Sequence, residues 1–474
     1  MSKPCGSLTV FGWIILMIPA LAIAGVDSSP IIPGSQLTLK DAIALALKYH
    51  PRGLEAAAQS GAAGERVGEA RAALLPQVYG TAQYLRTTAN GIGNTQYYDV
   101  DGMFPRESGR NHDLPSNDFS QRADTYNNYI GGLSFSQFLL DFGRRHGFVD
   151  QRKYEAAAAK AQQQLVDLDL IFEVSQRYFG LLAAQQLMRV YEKAIEQRRY
   201  HLHEAQVKAS ANLRPQLDIY VTQAELERAQ LHLVEARNAV TDGKVALDNA
   251  MGLSEAAPDY QPSAILTYGK ISDTMETLLR SAMRQRPDLV AIEDQVRAMG
   301  AQIQEYRSDY LPTVNAMGGY NAMGTGLPAV NNFNVGLVIT WPMFNGFLTT
   351  HQVEEATLEQ KALAHAIDDL RQRVIFQVKT AFLDWQASLE RIQRAERAVA
   401  ASSVELELAD KRYEAGLTNI VELEDAQRHY TSDDADYARA LYGYSLSKAQ
   451  IDHATGRSLL EMAGAQVSSN KNPH

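Results

Sequence analysis

Two stretches decide the fold: HPRGLEAAAQSGAAGERVGEARAALLPQV, His50 to Val78, and RPDLVAIEDQVRAMGAQIQEYRSDYLPTV, Arg286 to Val314. They align without a gap. Pro51 falls on Pro287, Arg71 on Arg307 and Leu75-Pro76 on Leu311-Pro312, all 236 positions apart. Further on the offset becomes 204. It carries Gly132-Leu133 onto Gly336-Leu337, Leu213 onto Leu417, Gln223 onto Gln427, Asp248 onto Asp452 and Gly252 onto Gly456. Two long gapless blocks in one order read as a tandem duplication. The drop from 236 to 204 places one insertion in the first copy, between Val78 and Gly132.

Each copy reads as helix, strand, loop, strand and long helical hairpin. No proline lies between Pro115 and Pro215, and none between Pro342 and Pro473. Arg144 to Ser210 is rich in Ala, Gln, Leu, Glu and Arg, which are good helix formers. Roughly 65 such residues make a rod of about 100 Å, far beyond an ordinary globular helix. Leu165, Leu168, Phe172, Tyr178, Phe179, Leu182 and Leu187 recur at helical spacing, as the packing face of a coiled coil or bundle requires. The rods turn at Ala211-Asn212-Leu213-Arg214-Pro215 and at Ala415-Gly416-Leu417-Thr418-Asn419. Asn and Gly accept the positive φ that ends a helix, and Pro215 suits the start of the next. The returning helices are expected over Leu217 to Met251 and Val421 to Thr455.

Between the helices the period changes to two. Val335, Leu337, Ile339 and Trp341 fall on one strand face. Ile130, Leu133 and Phe135 alternate with Ser134 and Ser136, with Val78 to Leu85 and Val314 to Tyr320 as weaker partner strands. A sheet face of this kind must be covered by protein or lipid. The helices are committed to long rods, so lipid is the expected cover of Phe135, Leu337, Ile339 and Trp341; Trp341 reads equally as an interfacial belt residue or a core tryptophan. Four strands per chain cannot close a membrane barrel, and lipid tolerates no open edge. Two chains would give 8 strands around a filled interior, and three would give 12 around a channel.

The 474 residues are 45% apolar and 21% charged, enough for a large core. A net charge of −10 argues against nucleic acid as the main partner. Residues 1–24 read as a secretory signal peptide: Lys3 is basic, Leu8 to Ile18 is apolar, and Ala22-Ile23-Ala24 is a cleavage pattern. Cleavage removes Cys5, the sole cysteine, and with it any disulfide or thiolate metal site. The expected organisation is a first repeat over 25–252, with a long polar loop at 85–129 and a hairpin at 144–251. A linker at 253–271, a second repeat at 272–456 and a tail at 457–474 follow.

No enzyme pattern is complete. His203-Glu204 begins HExxH, but Val207 stands where the second histidine belongs. Gly91-Ile92-Gly93 lacks its third glycine, and no P-loop or GxSxG occurs. Asp99 and Asp101 lie in the polar loop, where solvation accounts for them better than calcium does. No catalytic residue, metal ligand or cofactor is expected.

The chain resembles the TolC family of outer-membrane efflux and secretion channels. The resemblance rests on LTLKDAIALALKYHP (Leu37 to Pro51), LLP (Leu74 to Pro76), GLSFSQFLLDFGRR (Gly132 to Arg145), WPMFNG (Trp341 to Gly346) and RYEAGLTNIVELEDAQ (Arg412 to Gln427). It implies a mainly α fold, with coiled-coil hairpins forming a trimeric α-barrel. Four strands per chain would complete a 12-stranded membrane β-barrel in the outer membrane. It implies a passive channel with a periplasmic membrane-fusion adaptor and an inner-membrane pump of the RND or ABC type as partners. By the same resemblance, Glu422 and Asp425 form acidic rings at the periplasmic mouth, where they would repel one another and attract cations. Otherwise they are solvated acids favoured by a helix start. Tyr413 and Asp218 match a closed-state link. The arginine of a second link falls at Thr418, leaving Arg214, its equivalent in the first copy, as the substitute. Asn212, Leu213, Gly416, Leu417 and Thr418 correspond to tips that receive the adaptor. The rival reading is a periplasmic coiled-coil scaffold without a pore, its strands packed on its own helices. A weaker rival is a receptor using the polar loop.

Overall fold

The computed structural model describes residues 34–88, 125–253, 259–263, 268–269, 273–324 and 330–457. The stretch read as a signal peptide, most of the polar loop, including Gly91, Asp99 and Asp101, and the tail beyond Arg457 lie outside them.

The first copy comprises β1 (Gln36–Leu37), α1 (Leu39–Tyr49), α2 (Pro51–Ala72), β2 (Gln77–Thr88), β3 (Thr125–Leu140), α3 (Arg144–Ser210) and α4 (Leu217–Ala250). After β4 (Gln261–Pro262) the second copy runs through α5 (Met275–Gln285), α6 (Pro287–Ser308), β5 (Thr313–Gly324), β6 (Val330–Thr340), α7 (Leu348–Glu414) and α8 (Ile420–Thr455). Three pairs of counterpart helices have equal length: α1 and α5 are 11 residues, α2 and α6 22, and α3 and α7 67.

Local chemistry fixes the joints. The Thr38 side chain caps α1 by accepting from the Asp41 amide, and Asp41 reaches back to the cap. Pro51 and Pro287 open α2 and α6, which holds the preceding His50 and Arg286 extended and breaks the path from α1 and α5. Each strand-to-rod corner takes two left-handed residues: Phe142-Gly143 before α3 and Gly346-Phe347 before α7. The returning helices end on left-handed Gly252 and Gly456. A Cβ on Gly252 would lie 2.5 Å from the His50 Cα, so only glycine lets α4 finish against the α1–α2 corner.

Each hairpin has its own core. Leu37, Ala42, Ile43, Ile171, Val174, Tyr178, Leu181, Leu247 and Met251 pack together in the first copy. Leu278, Leu289, Val374, Val378, Trp385, Ile392 and Ile451 do so in the second. Each fully buried large side chain contributes about 1.5–3 kcal/mol. Tyr178 is wholly buried and donates to the Leu37 carbonyl at 2.8 Å. The stretch read as a linker is structured in part: β4 pairs in parallel with β1, and buried Tyr260 donates to Asp248 at 2.7 Å.

The other four strands form one antiparallel sheet in the order β2-β3-β5-β6. Its two faces differ in chemistry. One face carries Val78, Ala82, Leu133, Phe135, Val314, Ala316, Tyr320, Phe333, Val335, Leu337 and Ile339, which the register brings into cross-strand rows. The other carries Gln77, Thr81, Gln83, Ser134, Ser136, Asn315, Asn321, Asn332 and Asn334. The apolar face is bare, with Leu337 66% and Ile339 70% exposed, against the scaffold reading in which it packs on the chain's own helices. Phe135 is less open, at 37%. Among the described residues no helix is long and apolar enough to cross a membrane.

Two strand expectations need correction. The loop is shorter than 85–129, because β2 and β3 stay paired out to Thr88 and Thr125. Ile130 pairs with Gln83 and Met323 and sits on the polar face, since it is an odd number of residues from Leu133 and Phe135. Trp341 lies just past β6 and donates from its indole N–H to the Tyr310 carbonyl at 3.2 Å. It is a half-exposed end residue rather than a core tryptophan.

A charge on the apolar face should be rejected and one on the polar face accepted. Leu337→Arg is expected to cost about 2–4 kcal/mol near the bilayer midplane and to abolish recovery of folded protein from the membrane fraction. Ser134→Arg should leave that recovery within about twofold.

Candidate functional site

The two hairpin tips are built alike. The Leu213 amide donates to the Lys208 carbonyl and the Leu417 amide to the Arg412 carbonyl, each at 2.9 Å across a left-handed residue, Asn212 or Gly416. This 6→1 closure turns both leucines outward, and each is 73% exposed. The Asn419 side chain caps α8 by accepting from the Glu422 amide at 3.1 Å.

Beside the tips the structure brings Tyr413, Asp218 and Arg214 together. Tyr413 is fully buried among Ala409, Ile420, Leu423 and Ala426, and its hydroxyl donates to Asp218 Oδ2 at 3.4 Å. Asp218 is itself buried, at the start of α4. Arg214 Nη2 donates to the Tyr413 carbonyl at 3.0 Å, with its guanidinium 4.7 Å from the ring centroid. Lys208 Nζ stands 4.8 Å from the same ring. Burial first, and the Asp218 charge second, push the Tyr413 hydroxyl up to about 12. The first hairpin is thereby tied to the second at Tyr413.

Glu422 and Asp425 share one exposed side of α8, and each has a local cation. Arg412 Nε lies 3.5 Å from Glu422 and Arg428 donates to Asp425 at 2.8 Å. Glu422 also accepts the Thr418 hydroxyl. Each acid therefore carries a half-exposed counter-charge from its own chain.

A second polar layer was not foreseen. Arg198 on α3 lies buried between Glu225 on α4 and Glu424 on α8, 3.7 Å from each carboxylate. Its Nη1 donates to the Glu225 carbonyl at 3.1 Å. Next to it Gln427 donates to Gln197 at 2.7 Å, and His201 faces Asp410 at 3.9 Å. Burial lowers His201 and raises Glu424 to about 7, with Arg198 pulling the latter back. The signal was the helical spacing: Glu424 and Gln427 continue the buried stripe of Ile420 and Leu423. A third link, His453 to Asp169 at 2.7 Å, joins α8 to α3 nearer the sheet.

Tyr413→Phe should leave the Asp218 carboxylate buried without its hydroxyl donor. The expected cost is about 1–3 kcal/mol, read as a lower thermal midpoint by circular dichroism of detergent-extracted protein.

With this geometry in view, the comparisons fall into place. The sequence matches the family described as Outer membrane efflux protein over residues 42–253 and 278–457. It is 27% identical over 423 residues to the Outer membrane protein TolC of Vibrio cholerae, covering 86% of this chain and 87% of that one. It is 24% identical to the Alkaline protease secretion protein AprF of Pseudomonas aeruginosa, covering 75% and 76%. The fold superposes on the crystal structure of the Campylobacter jejuni CmeC outer membrane channel with a TM-score of 0.74 at 17% identity, covering 88% and 85%.

Proposed function

The chain belongs to the outer membrane efflux protein family, and on that premise we propose that it is the passive outer-membrane channel of an efflux or type I secretion system. The observation that carries this reading is the sheet: apolar on one face, polar on the other, and unpaired at both edges, above two 67-residue rods. Small polar residues such as Ser134, Asn315 and Asn334 do not fill a dry barrel, so the polar face favours a wet lumen. Three copies supply 12 strands, enough for such a lumen, and the rods then continue it as a helical tunnel into the periplasm. The homotrimer is the assembly this reading requires, with outer-membrane lipid against Phe135, Leu337, Ile339 and Trp341.

The exposed tips, Asn212-Leu213 and Gly416-Leu417-Thr418, are the surface offered to a periplasmic adaptor. The adaptor in turn connects to an inner-membrane pump of the RND or ABC type. The pump supplies energy and chooses the substrate, and the channel turns nothing over. At the mouth Glu422 and Asp425 select cations, while the Asp218–Tyr413–Arg214 contact holds the hairpins closed. The efflux in the family's description and the secretion role named for AprF support the two alternatives of efflux and secretion.

Planar-bilayer recordings test this. Wild type should give small, cation-selective single-channel currents. Glu422→Ala with Asp425→Ala should lower cation selectivity severalfold. Arg214→Ala, by freeing Tyr413, should raise conductance severalfold. Folded protein that gives no channels would overturn the function, and conductance unchanged in R214A would overturn the closing contact.

A further inference from the structure

We propose that the closed tip holds a proton on Glu424, so that acid on the periplasmic side tightens the contact between the two hairpins and rising pH loosens it. This inference rests on the channel reading, because it assigns the tip contact to the closed state.

The geometry is that of one buried cation shared by two buried carboxylates. Arg198, Glu225 and Glu424 are 5%, 6% and 2% exposed. Arg198 makes no hydrogen bond to Glu424: its Nη1 donates to the backbone carbonyl of Glu225, and its Nε stands 3.7 Å from the Glu424 carboxylate. Neither Glu424 oxygen accepts a hydrogen bond, and Arg198 Nε donates none. An ionised Glu424 would be a buried carboxylate with no hydrogen bond and its nearest cation 3.7 Å away, a desolvation cost that the neutral acid avoids.

The other charged groups around Glu424 lie towards solvent and give it no hydrogen bond. On α4, Arg228 binds Glu225 from the solvent side. On α8, Arg428 is half-exposed, pairs with Asp425, and lies 4.0 Å from Glu225. From α3, His201 is held below its ordinary range by burial and faces Asp410 of α7, so it adds no positive charge near neutrality.

The sign follows from linkage. Burial raises Glu424 to about 7 while the hairpins touch, against 4.5 for the solvated group. The touching state therefore binds the proton more tightly than the parted one. Its advantage grows as pH falls from about 7 towards 4.5 and is absent above about 7. Because Glu424 and Arg198 lie on helices of different hairpins, the proton acts on the contact between hairpins and not on either hairpin alone.

The test uses full-length protein, wild type and Glu424→Gln, across pH 6 to 8. Hydrogen exchange over residues 420–431, corrected for intrinsic rate, should lose protection about tenfold in wild type as pH rises. Glu424→Gln should stay protected throughout. Bilayer conductance should rise with tip-side pH in wild type and remain low and flat in Glu424→Gln. Wild-type protection that is independent of pH, or a step that persists in Glu424→Gln, overturns the proposal. A protection step without any conductance upholds the proton site and overturns the channel reading instead.

Discussion

The structure depends on two unpaired strand edges. In the order β2-β3-β5-β6 the 12 residues of β2 and the 11 of β6 each have one neighbour only. About a dozen backbone groups point outward from each edge, and in hydrocarbon each unsatisfied group costs several kcal/mol. No side-chain packing within one chain offsets a deficit of that size. The sheet also exposes a bare apolar face, so it suits lipid but cannot enter it alone. Pairing β6 of one copy with β2 of the next removes the deficit and keeps every pair antiparallel. Assembly is thus a condition of membrane insertion, and the fold of each copy follows from it. The strands are short and alternate because they line a barrel wall, and the rods are long because they continue that wall into water.

The far end of the rods obeys a different chemistry. Midway along the rods, each hairpin is held by an apolar cluster of its own repeat. Near the tips, the contact between copies is largely polar: Arg214 to Tyr413, Arg198 to Glu424, Gln427 to Gln197 and His201 beside Asp410. Apolar cores give stable joints, whereas buried ionic contacts gain little net stability because desolvation offsets the attraction. A polar seam is therefore the natural place for the hairpins to part.

The rods were legible in the sequence almost to the residue, because helix formers run without proline and stop at Asn212 and Gly416. The duplication was legible because equal offsets survive in proline, glycine and leucine positions. The strands were legible where β-branched residues alternate, as at Val335 to Ile339, and misread where glycine dilutes the pattern. Gly131-Gly132 separates Ile130 from Leu133 and hides the change of face. β1 and β4 have two residues each and no period to read. At the tip, Tyr413 and Asp218 were found through resemblance. Arg198, Glu225 and Glu424 were not: the buried stripe marks Glu424, but nothing in the sequence pairs it with charges on other helices.

Edge closure demands a ring of copies, and a wet lumen demands three of them rather than two. Native mass spectrometry of the detergent-extracted protein counts them directly. The account predicts one species of three chains, which falls apart when the β6 edge is blocked by proline substitution at Val338. A stable, folded monomer or dimer from wild-type protein would contradict it.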